Sequence, residues 1–392
     1  MDFSLTDGER AYRRKVRDLV QEVSGEQMRE YWAEQQAVGG DRIFPWAPSA
    51  HKLLAERGLV GIDWPAPWGR GATSSENYIL SEELVGSGFP SSPVTSSHAN
   101  VRAIIRNGTP EVVEEHVPKA LSGDRRYADG LSEPEAGSDL FALRTTAVRD
   151  GDEYVVTGSK LWTSYAHEAE YVSALVRTDP ESTRHRGLSM LLIPLDAAGV
   201  DIQPVWVIGG WRVNQCFFDA VRVPVSNRLG PENEGAAILS AGLADERSLS
   251  FGGTDSRLLL ARLLHRFAGA ADDLDDSDLE AIGRFATRLE VERMLNISAN
   301  AKGARGAESA AAAGSMGKLY GSELAQEFAQ WLNELLPESI YRTEWGVSVD
   351  DQLAADAEWF VRGTVTMTIA GGTSEIQRNT IAQRGLGLPR GA

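Results

Sequence analysis

The order of hydrophobic patterns along the chain constrains its fold more than any other feature. Through the first ~120 residues, apolar side chains such as Tyr12, Val16 and Leu19 recur at helical spacing. From about Gly123 onward, short runs of β-branched and aromatic residues alternate with turn residues. Helical spacing returns at about Glu232. The predicted fold class is therefore α+β, with a helical domain at 1–122, a small β domain at 123–231 and a second helical domain at 232–392.

Local patterns within these blocks predict individual elements. Thr6 followed by Glu9 has the form of a capping box, which indicates a helix N-terminus. Runs of β-branched and aromatic residues predict four strands, at Tyr154–Thr157, Tyr171–Val176, Leu188–Pro194 and Cys216–Val223. No Gly-x-Gly-x-x-Gly follows a predicted strand, so we do not expect a Rossmann dinucleotide site.

Composition excludes several classes of protein. The chain has 39 basic and 56 acidic residues and a net charge of −17, which argues against non-specific nucleic-acid binding. No run of about 18 apolar residues occurs, so no membrane span is expected. Cys216 is the single cysteine, which excludes an internal disulfide and fits a reducing cytoplasm. The histidines and this cysteine lack the spacing of metal ligands, so no metal site is expected.

Two stretches of the middle block are suited to contact a ligand. Leu131–Leu140 combines small residues with a proline in a turn, which lets backbone N–H groups approach a ligand closely, although an ordinary loop has the same composition. Gly158–Ser164 follows the predicted strand Tyr154–Thr157. Trp162 in it is suited to lie against a flat ring whose edge bonds neighbouring hydroxyls, or to be an ordinary core tryptophan.

A third stretch, Gly371–Arg378, lies near the C-terminus. Two glycines precede Ser374, and Gln377 follows three residues later, which predicts a loop that opens a capped helix. Free N–H groups at a helix start can receive an anion or a polarised carbonyl oxygen. Alone, the pattern predicts only a helix start.

Taken together, the three stretches resemble those of the acyl-CoA dehydrogenase family. The first contains Ser-Glu-Pro-Glu-Ala-Gly-Ser-Asp and the third is Gly-Gly-Thr-Ser-Glu-Ile-Gln-Arg. Further matches cover most of the chain, at Phe3–Arg10, Leu59–Pro65, Gly108–Glu111, Val221–Pro224 and Gly230–Gly235. The resemblance implies an N-terminal helical domain, a barrel-like β domain and a C-terminal four-helix bundle, with FAD between the β domain and the C-terminal helices.

The resemblance also implies roles for individual residues. Positions expected to contact FAD are Leu131 and Ser132 at the pyrimidine end, Gly137 and Ser138 at the pyrophosphate, Trp162, Thr163 and Ser164 beside the ring, and Thr373 and Glu375 near the adenine dinucleotide portion. Ser138 also lies where the pantetheine arm of the substrate is expected to enter. Serines replace the frequent threonines at Ser132 and Ser164, and both keep a hydroxyl.

The reaction implied is α,β-desaturation of an acyl-CoA thioester, which needs a carboxylate to remove the α-proton. Many family members carry it immediately before Gly-Thr-Ser, where this chain has Gly371. A minority, including isovaleryl-CoA dehydrogenase, place it on a C-terminal helix before an arginine, and here Glu246 precedes Arg247. Spacing supports this choice independently, because Leu239, Leu243 and Glu246 share one helical face. A partnered structural glutamate is the alternative. Gly371 is expected to donate its backbone N–H to the thioester oxygen, and Arg247 to contact substrate.

Two family motifs that complete the FAD site across a subunit boundary are missing. Leu264–Gly269 replaces Arg-x-x-Phe-Gly, and Ser339–Gly346 replaces Gln-x-x-Gly-Gly-x-Gly. Actinobacterial members that form α2β2 heterotetramers and oxidise bulky acyl-CoAs, including steroid side chains, have this appearance. We therefore expect a tetramer, with a second acyl-CoA dehydrogenase-like chain as partner and an electron-transferring flavoprotein as electron acceptor. Two alternatives stay open: a non-catalytic partner subunit, and a flavin oxidase or monooxygenase.

Overall fold

Contacts divide the chain into two compact units. The computed structural model describes residues 5–22, 25–37, 47–89, 98–208, 210–246, 253–269, 274–303, 307–336 and 349–389. A helical unit comprises residues 1–24, 73–89 and 246–392, and a mixed unit comprises residues 25–72 and 90–245. None of the described helices is long and apolar enough to cross a membrane. The domain boundaries at residues 122 and 231 stay predictions.

Helices dominate both ends of the chain and strands its middle, as the sequence predicts. The described helices are α1 (Asp7–Glu22), α2 (Gly25–Ala37), α3 (Pro48–Glu56), α4 (Ser74–Gly86), α5 (His98–Asn107), α6 (Pro110–Ser122), α7 (Gly235–Glu246), α8 (Gly253–Arg266), α9 (Asp276–Gly303), α10 (Ala307–Leu335), α11 (Val349–Met367) and α12 (Ser374–Thr380). The described strands are β1 (Tyr127–Gly130), β2 (Thr146–Asp150), β3 (Glu153–Ser164), β4 (Tyr171–Arg177), β5 (Leu188–Pro194), β6 (Val200–Trp206), β7 (Arg212–Pro224) and β8 (Arg228–Leu229).

The strands form a single sheet in the mixed unit. Its order is β6-β7-β3-β2-β4-β5-β8, and β1 pairs in parallel with β4. The predicted strand at Leu188–Pro194 is confirmed residue for residue as β5. The predicted strands at Tyr154–Thr157 and Cys216–Val223 are the centres of the longer β3 and β7. The edge strand β6 was not predicted, because it contains Pro204 and buries none of its residues fully.

Two apolar layers cover opposite faces of this sheet. On one face, Tyr127, Leu175 and Leu192 pack with apolar residues of α5 and α6. On the other, Ala128, Val172 and Cys216 belong to a second buried cluster that strand residues dominate. Successive residues of a strand point to opposite faces, so neighbours such as Tyr127 and Ala128 enter different layers. This alternation also decides which side of β1 each polar residue faces.

One helix begins at the cap that its sequence predicts, and a second helix has a cap of the same type. Thr6 and Glu9 exchange the reciprocal hydrogen bonds of a capping box, since the Glu9 backbone N–H donates to Oγ1 of Thr6 and the Thr6 N–H donates to the Glu9 carboxylate. The same box starts α4, between Thr73 and Glu76. Side-chain acceptors of this kind satisfy backbone N–H groups that have no partner within the helix.

Candidate active site

The loop after β1 is held by a buried carboxylate. Glu133 is 8% exposed, and its side chain accepts hydrogen bonds from the backbone N–H groups of Arg144 (2.6 Å) and Thr145 (3.0 Å). Its own backbone exchanges two hydrogen bonds with Ala136, which closes the turn. The predicted turn at Leu131–Leu140 is therefore a fixed structure with the proline inside it, and its fold depends on residues farther along the chain.

The cation that partners this carboxylate comes from β3. Lys160 is fully buried, and its Nζ lies 2.8 Å from Oε1 of Glu133 and 3.2 Å from the carbonyl oxygen of Leu131. Burial by itself raises the pKa of Glu133, but the charge of Lys160 and the hydrogen bonds to the carboxylate outweigh it, so the pKa lies below its usual range. Glu133 is thus ionised at neutral pH and bonds the lysine as a charged pair.

A backbone hydrogen bond brings the first two predicted stretches together. The N–H of Leu161 donates to the carbonyl oxygen of Ser132 at 2.9 Å. Because Lys160 bonds Leu131 one step away, the loop and the strand are joined at consecutive residues. The sequence predicted that Gly158–Ser164 follows a strand. In the structure, this stretch forms the second half of β3 itself.

Trp162 projects from an irregular position in this strand. The pairing of β3 with β7 shifts between Lys160 and Thr163, and Trp162 has a φ of 64°, which is uncommon for a bulky side chain. Its indole is 55% exposed, so Trp162 is not the ordinary core tryptophan of the alternative interpretation. Ser164 is also exposed and Ser132 is half-buried. An open aromatic face flanked by hydroxyls suits a flat heterocycle with polar edges.

Thr163 is arranged differently from its neighbours. Its side chain is fully buried, and its carbonyl oxygen accepts a hydrogen bond of 2.9 Å from Nδ2 of Asn214 on β7. The hydroxyl lies beside the thiol of Cys216, whose pKa burial raises to about 11. Thr163 is therefore buried as a whole residue, and its contact with the flavin ring stays a prediction.

The third stretch is a loop in the helical unit, and hydrogen bonds from one of its own side chains stabilise it. Gln377 is fully buried and donates its side-chain amide to the carbonyl oxygens of Gly371 (3.0 Å) and Gly372 (2.9 Å). The buried Lys318 donates to the same Gly372 oxygen at 2.9 Å. Gly372 has a φ of 97°, and a Cβ there would lie 2.8 Å from Nε2 of Gln377, so only glycine fits.

The cap of the helix that follows is one residue earlier than the sequence suggested. Thr373 accepts a hydrogen bond from the Ile376 N–H, and α12 begins at Ser374. The predicted capping pair of Ser374 and Gln377 does not form, because Gln377 reaches back to the glycine carbonyls instead. Glu375 is exposed in the first turn, where the backbone N–H groups lower its pKa.

The remaining predicted site residues have different positions. Gly137 and Ser138 are exposed in the loop after β1, and no atom lies within 4 Å of a Cβ built at Gly137, so the backbone is open there. Glu246 is the last described residue of α7, but its side chain lies outside the described residues. Arg247 lies outside them entirely, as does Ser339–Gly346.

Comparisons with known proteins agree with the resemblance. Family models described as the N-terminal, middle and C-terminal domains of acyl-CoA dehydrogenase match residues 6–124, 128–221 and 276–386. Acyl-CoA dehydrogenase FadE26 of Mycobacterium tuberculosis is 31% identical over 406 residues, which cover 100% of this chain and 99% of that protein. The chain belongs to the acyl-CoA dehydrogenase family.

Solved structures of this family resemble the chain over its full length. A structure described as the Tcur3481-Tcur3483 steroid ACAD has a TM-score of 0.84 and 30% identity, with 100% of both chains covered. The ChsE4-ChsE5 complex from Mycobacterium tuberculosis has a TM-score of 0.83 and 29% identity, also with 100% of both chains covered. The family consists of FAD-dependent oxidoreductases, so the fold class and enzyme class expected from the sequence are confirmed.

Sequence reasoning missed the residues that hold this acyl-CoA dehydrogenase's loops. Lys160 has the same parity in β3 as the buried Tyr154 and Val156, so a lysine at that position signals a buried cation. Glu133 is recognisable in the sequence only as part of a motif, because its partners lie too far along the chain for a local pattern to reveal. Lys318 lies in a long helix with an apolar periodicity, and nothing in the neighbouring sequence indicates that this lysine is buried.

Proposed function

We propose that this chain catalyses the FAD-dependent α,β-desaturation of an acyl-CoA thioester. The observation that supports this most is the joined loop and strand, where the exposed indole of Trp162 lies in the same strand as Ser164 and is linked through Leu161 to Ser132. These residues fit a flavin, because they offer one aromatic face together with hydroxyls at its edge.

The positions proposed to hold FAD are those that the sequence predicts. The ring would be bonded by Leu131, Ser132, Trp162, Thr163 and Ser164, and the pyrophosphate by Gly137 and Ser138. Thr373 and Glu375 would contribute near the adenine dinucleotide portion. Bound FAD would supply the acceptor for the hydride that leaves the substrate's β-carbon.

Glu246 is proposed as the base that removes the substrate's α-proton. The more frequent position for that glutamate is Gly371, which has no side chain to serve. Leu239, about two turns earlier on α7, is 6% exposed, so the face that Glu246 shares is directed to the interior at that point. Burial raises the pKa of a carboxyl toward neutrality, which suits a base that must take up a proton and release it.

Gly371 and two polar residues are proposed to bind the substrate. The carbonyl oxygen of Gly371 is fixed by Gln377, which orients the adjoining peptide units. We expect the Gly371 N–H to donate to the thioester oxygen, where it would stabilise the negative charge that develops when the α-proton leaves. Ser138 is proposed to line the path of the pantetheine arm, and Arg247 to contact the substrate beside Glu246.

The assembly is proposed to be a tetramer that pairs this chain with a second acyl-CoA dehydrogenase-like polypeptide, as α2β2. Two observations favour this: the family motifs are replaced at Leu264–Gly269 and Ser339–Gly346, and two similar structures are described by paired subunit names. An electron-transferring flavoprotein is the proposed acceptor, and the cytoplasm the proposed location. Bulky acyl-CoAs, including steroid side chains, are the proposed substrates.

The test replaces the carboxylate of the proposed base with an amide of the same shape. Glu246→Gln should keep FAD but lose dye-coupled dehydrogenation by roughly 10²- to 10⁴-fold, because general base catalysis contributes on that order. Asp245→Asn makes the same chemical change at the neighbouring residue and should keep near-normal turnover. Both variants are purified with the partner chain, and their FAD content is measured by absorbance. They are then assayed with short, branched and steroid acyl-CoAs.

The same experiment separates the two alternatives. Near-normal turnover in Glu246→Gln would reject the base, and it would favour a non-catalytic chain whose companion performs the chemistry. Oxygen consumption that exceeds dye reduction in the wild type would favour an oxidase or monooxygenase. If the chain purified alone is a fully FAD-loaded, active homo-oligomer, the α2β2 proposal is wrong.

A further inference from the structure

One carboxylate on β1 differs from every other residue of that strand. Tyr127, Ala128 and Gly130 are buried, but Asp129 between them is exposed. Despite this exposure, surrounding protein raises the pKa of Asp129 to about 6. We call this position a recess, because solvent reaches one side of the carboxyl while protein groups lie close to another.

The walls of this recess come from within the mixed unit. Asn100 on α5 is 4% exposed, and its amide lowers the pKa of Asp129, opposing burial. Nδ2 of Asn100 is nevertheless buried and has no hydrogen-bond partner of normal geometry among the described residues, so its contact with the carboxylate is a loose one. Ser173, paired opposite Asp129 on β4, is 3% exposed and faces the same side of the sheet.

An unpaired buried amide beside a partly desolvated carboxylate is an unfavourable arrangement in the ligand-free chain. A buried donor without an acceptor is destabilising, and a carboxylate hydrogen bond contributes more than a neutral one. A ligand hydroxyl can donate to Asp129 and accept from Asn100 at once, because a hydroxyl has one donor and two acceptor lone pairs. An apolar group in the same recess would leave both unsatisfied.

The recess lies close to the residues proposed to hold the flavin ring. Asp129 and Leu131 are two residues apart, and an extended chain separates such residues by about 7 Å. Leu131 is tied to Lys160, and Ser132 to Leu161, so this end of β1 is fixed. A few carbon–carbon bonds span such a distance, which is the reach of an acyl chain whose α- and β-carbons lie against the ring.

We propose that Asp129 and Asn100 form a polar subsite for the acyl group, which selects acyl-CoA substrates carrying a hydroxyl. This inference rests on the proposed function, since it assigns part of the substrate of that same site. Asp129 accepts a hydrogen bond from the hydroxyl hydrogen, and Nδ2 of Asn100 donates to the hydroxyl oxygen. The subsite gives specificity and takes no part in the bond-breaking steps.

The test compares pairs of acyl-CoAs that differ only by one hydroxyl. A straight-chain series with the hydroxyl moved one carbon at a time is assayed for kcat/KM, and each is compared with its unsubstituted parent. Wild-type enzyme, purified with its partner, should prefer one position over the parent. Asp129→Leu should lower that preference by about 10- to 100-fold, the worth of a hydrogen bond to a charged group.

Three controls keep the outcome interpretable. Asp201→Leu removes an aspartate from the exposed strand β6 and should leave the preference unchanged. Asp129→Asn keeps the shape of the side chain and serves if the leucine variant does not fold, with an expected loss of at least about 3-fold. Turnover of the unsubstituted parent should persist in both Asp129 variants.

Equilibrium binding separates failure of the subsite from failure of the proposed function. If no acyl-CoA is oxidised but wild-type protein binds a hydroxylated acyl-CoA more tightly than its parent, and Asp129→Leu abolishes that difference, the subsite stands and the proposed activity falls. If folded, FAD-loaded Asp129→Leu shows the wild-type preference, or if wild-type protein shows none in binding or turnover, the subsite is wrong.

Discussion

Glu133 in the mixed unit and Gln377 in the helical unit are both buried polar side chains that hold a predicted binding loop in place. Glu133 is a carboxylate that accepts two backbone N–H groups and the ammonium of Lys160. Gln377 is a neutral amide that donates to two glycine carbonyls. Each therefore fixes backbone groups next to residues that we propose to contact FAD or substrate.

The two side chains differ in how far their partners lie along the chain. Those of Glu133 are 11, 12 and 27 residues away, whereas those of Gln377 are 6 and 5 residues away. The first loop therefore depends on the assembled sheet and on a buried charge, and the second depends mainly on its own motif. Damage at Glu133 should accordingly spread farther and cost more than damage at Gln377.

The largest structural effect is expected at Glu133. Glu133→Ala leaves the ammonium of Lys160 buried without its carboxylate, so the free energy of unfolding should fall by about 3–5 kcal/mol. Urea denaturation of the FAD-loaded protein measures it. A matched double variant, Glu133→Leu with Lys160→Met, removes both charges and should lose less than Glu133→Ala alone. A loss below about 1 kcal/mol in the single variant would contradict the role of this pair.

A smaller effect is expected at Gln377. Gln377→Ala removes two hydrogen bonds to neutral carbonyls, so the free energy of unfolding should fall by about 1–3 kcal/mol. Because Gly371 is then less well oriented, kcat should fall while the FAD content is kept. The comparison with Glu133 fails if this variant is as unstable as Glu133→Ala in the same urea titration.

The smallest effect is expected at two helix caps, one in each unit. Thr373 caps α12 and Thr109 caps α6, each through its hydroxyl. Thr→Ala at either position should cost about 1 kcal/mol, and Thr→Ser should restore most of it. Similar losses would indicate that local caps are equivalent in the two units, so that the difference between Glu133 and Gln377 comes from charge and distance along the chain. Urea denaturation measures the free energy of unfolding of each variant. Losses that differ between the two caps by about 2 kcal/mol or more would contradict their equivalence.

Local features of the fold were predictable because neighbouring residues determine them. The capping box of Thr6 and Glu9 forms as its sequence indicates, and Leu188–Pro194 is a strand because its short, mainly apolar run suits a buried sheet. The edge strand β6 escaped prediction because it faces water and lacks a continuous apolar run. The cap at Thr373 was missed by one residue, because the Gln377 side chain donates to the glycine carbonyls behind it and does not accept from the N–H of a capping residue.

The candidate site was less predictable than the fold. A resemblance supplied Ser132, Trp162 and Ser164, but nothing local to those residues indicates that Leu161 bonds Ser132. Charged partners such as Glu133 and Lys160 meet only after the sheet has formed, so spacing along the chain carries little information about them. Asp129 is similar, since its recess depends on the packing of α5 against β1.

The central claim is that Glu246 removes the α-proton of the substrate, and proton exchange tests it most directly. A 3-thia acyl-CoA, in which sulfur replaces the β-carbon, has no β-hydrogen to lose, so only α-proton removal can occur. In D₂O, wild-type enzyme with its partner should exchange the α-protons for deuterium, which NMR follows. Glu246→Gln should exchange them at least about 10²-fold more slowly. Exchange at the wild-type rate in folded, FAD-loaded Glu246→Gln would contradict the claim and assign the base to another residue or chain.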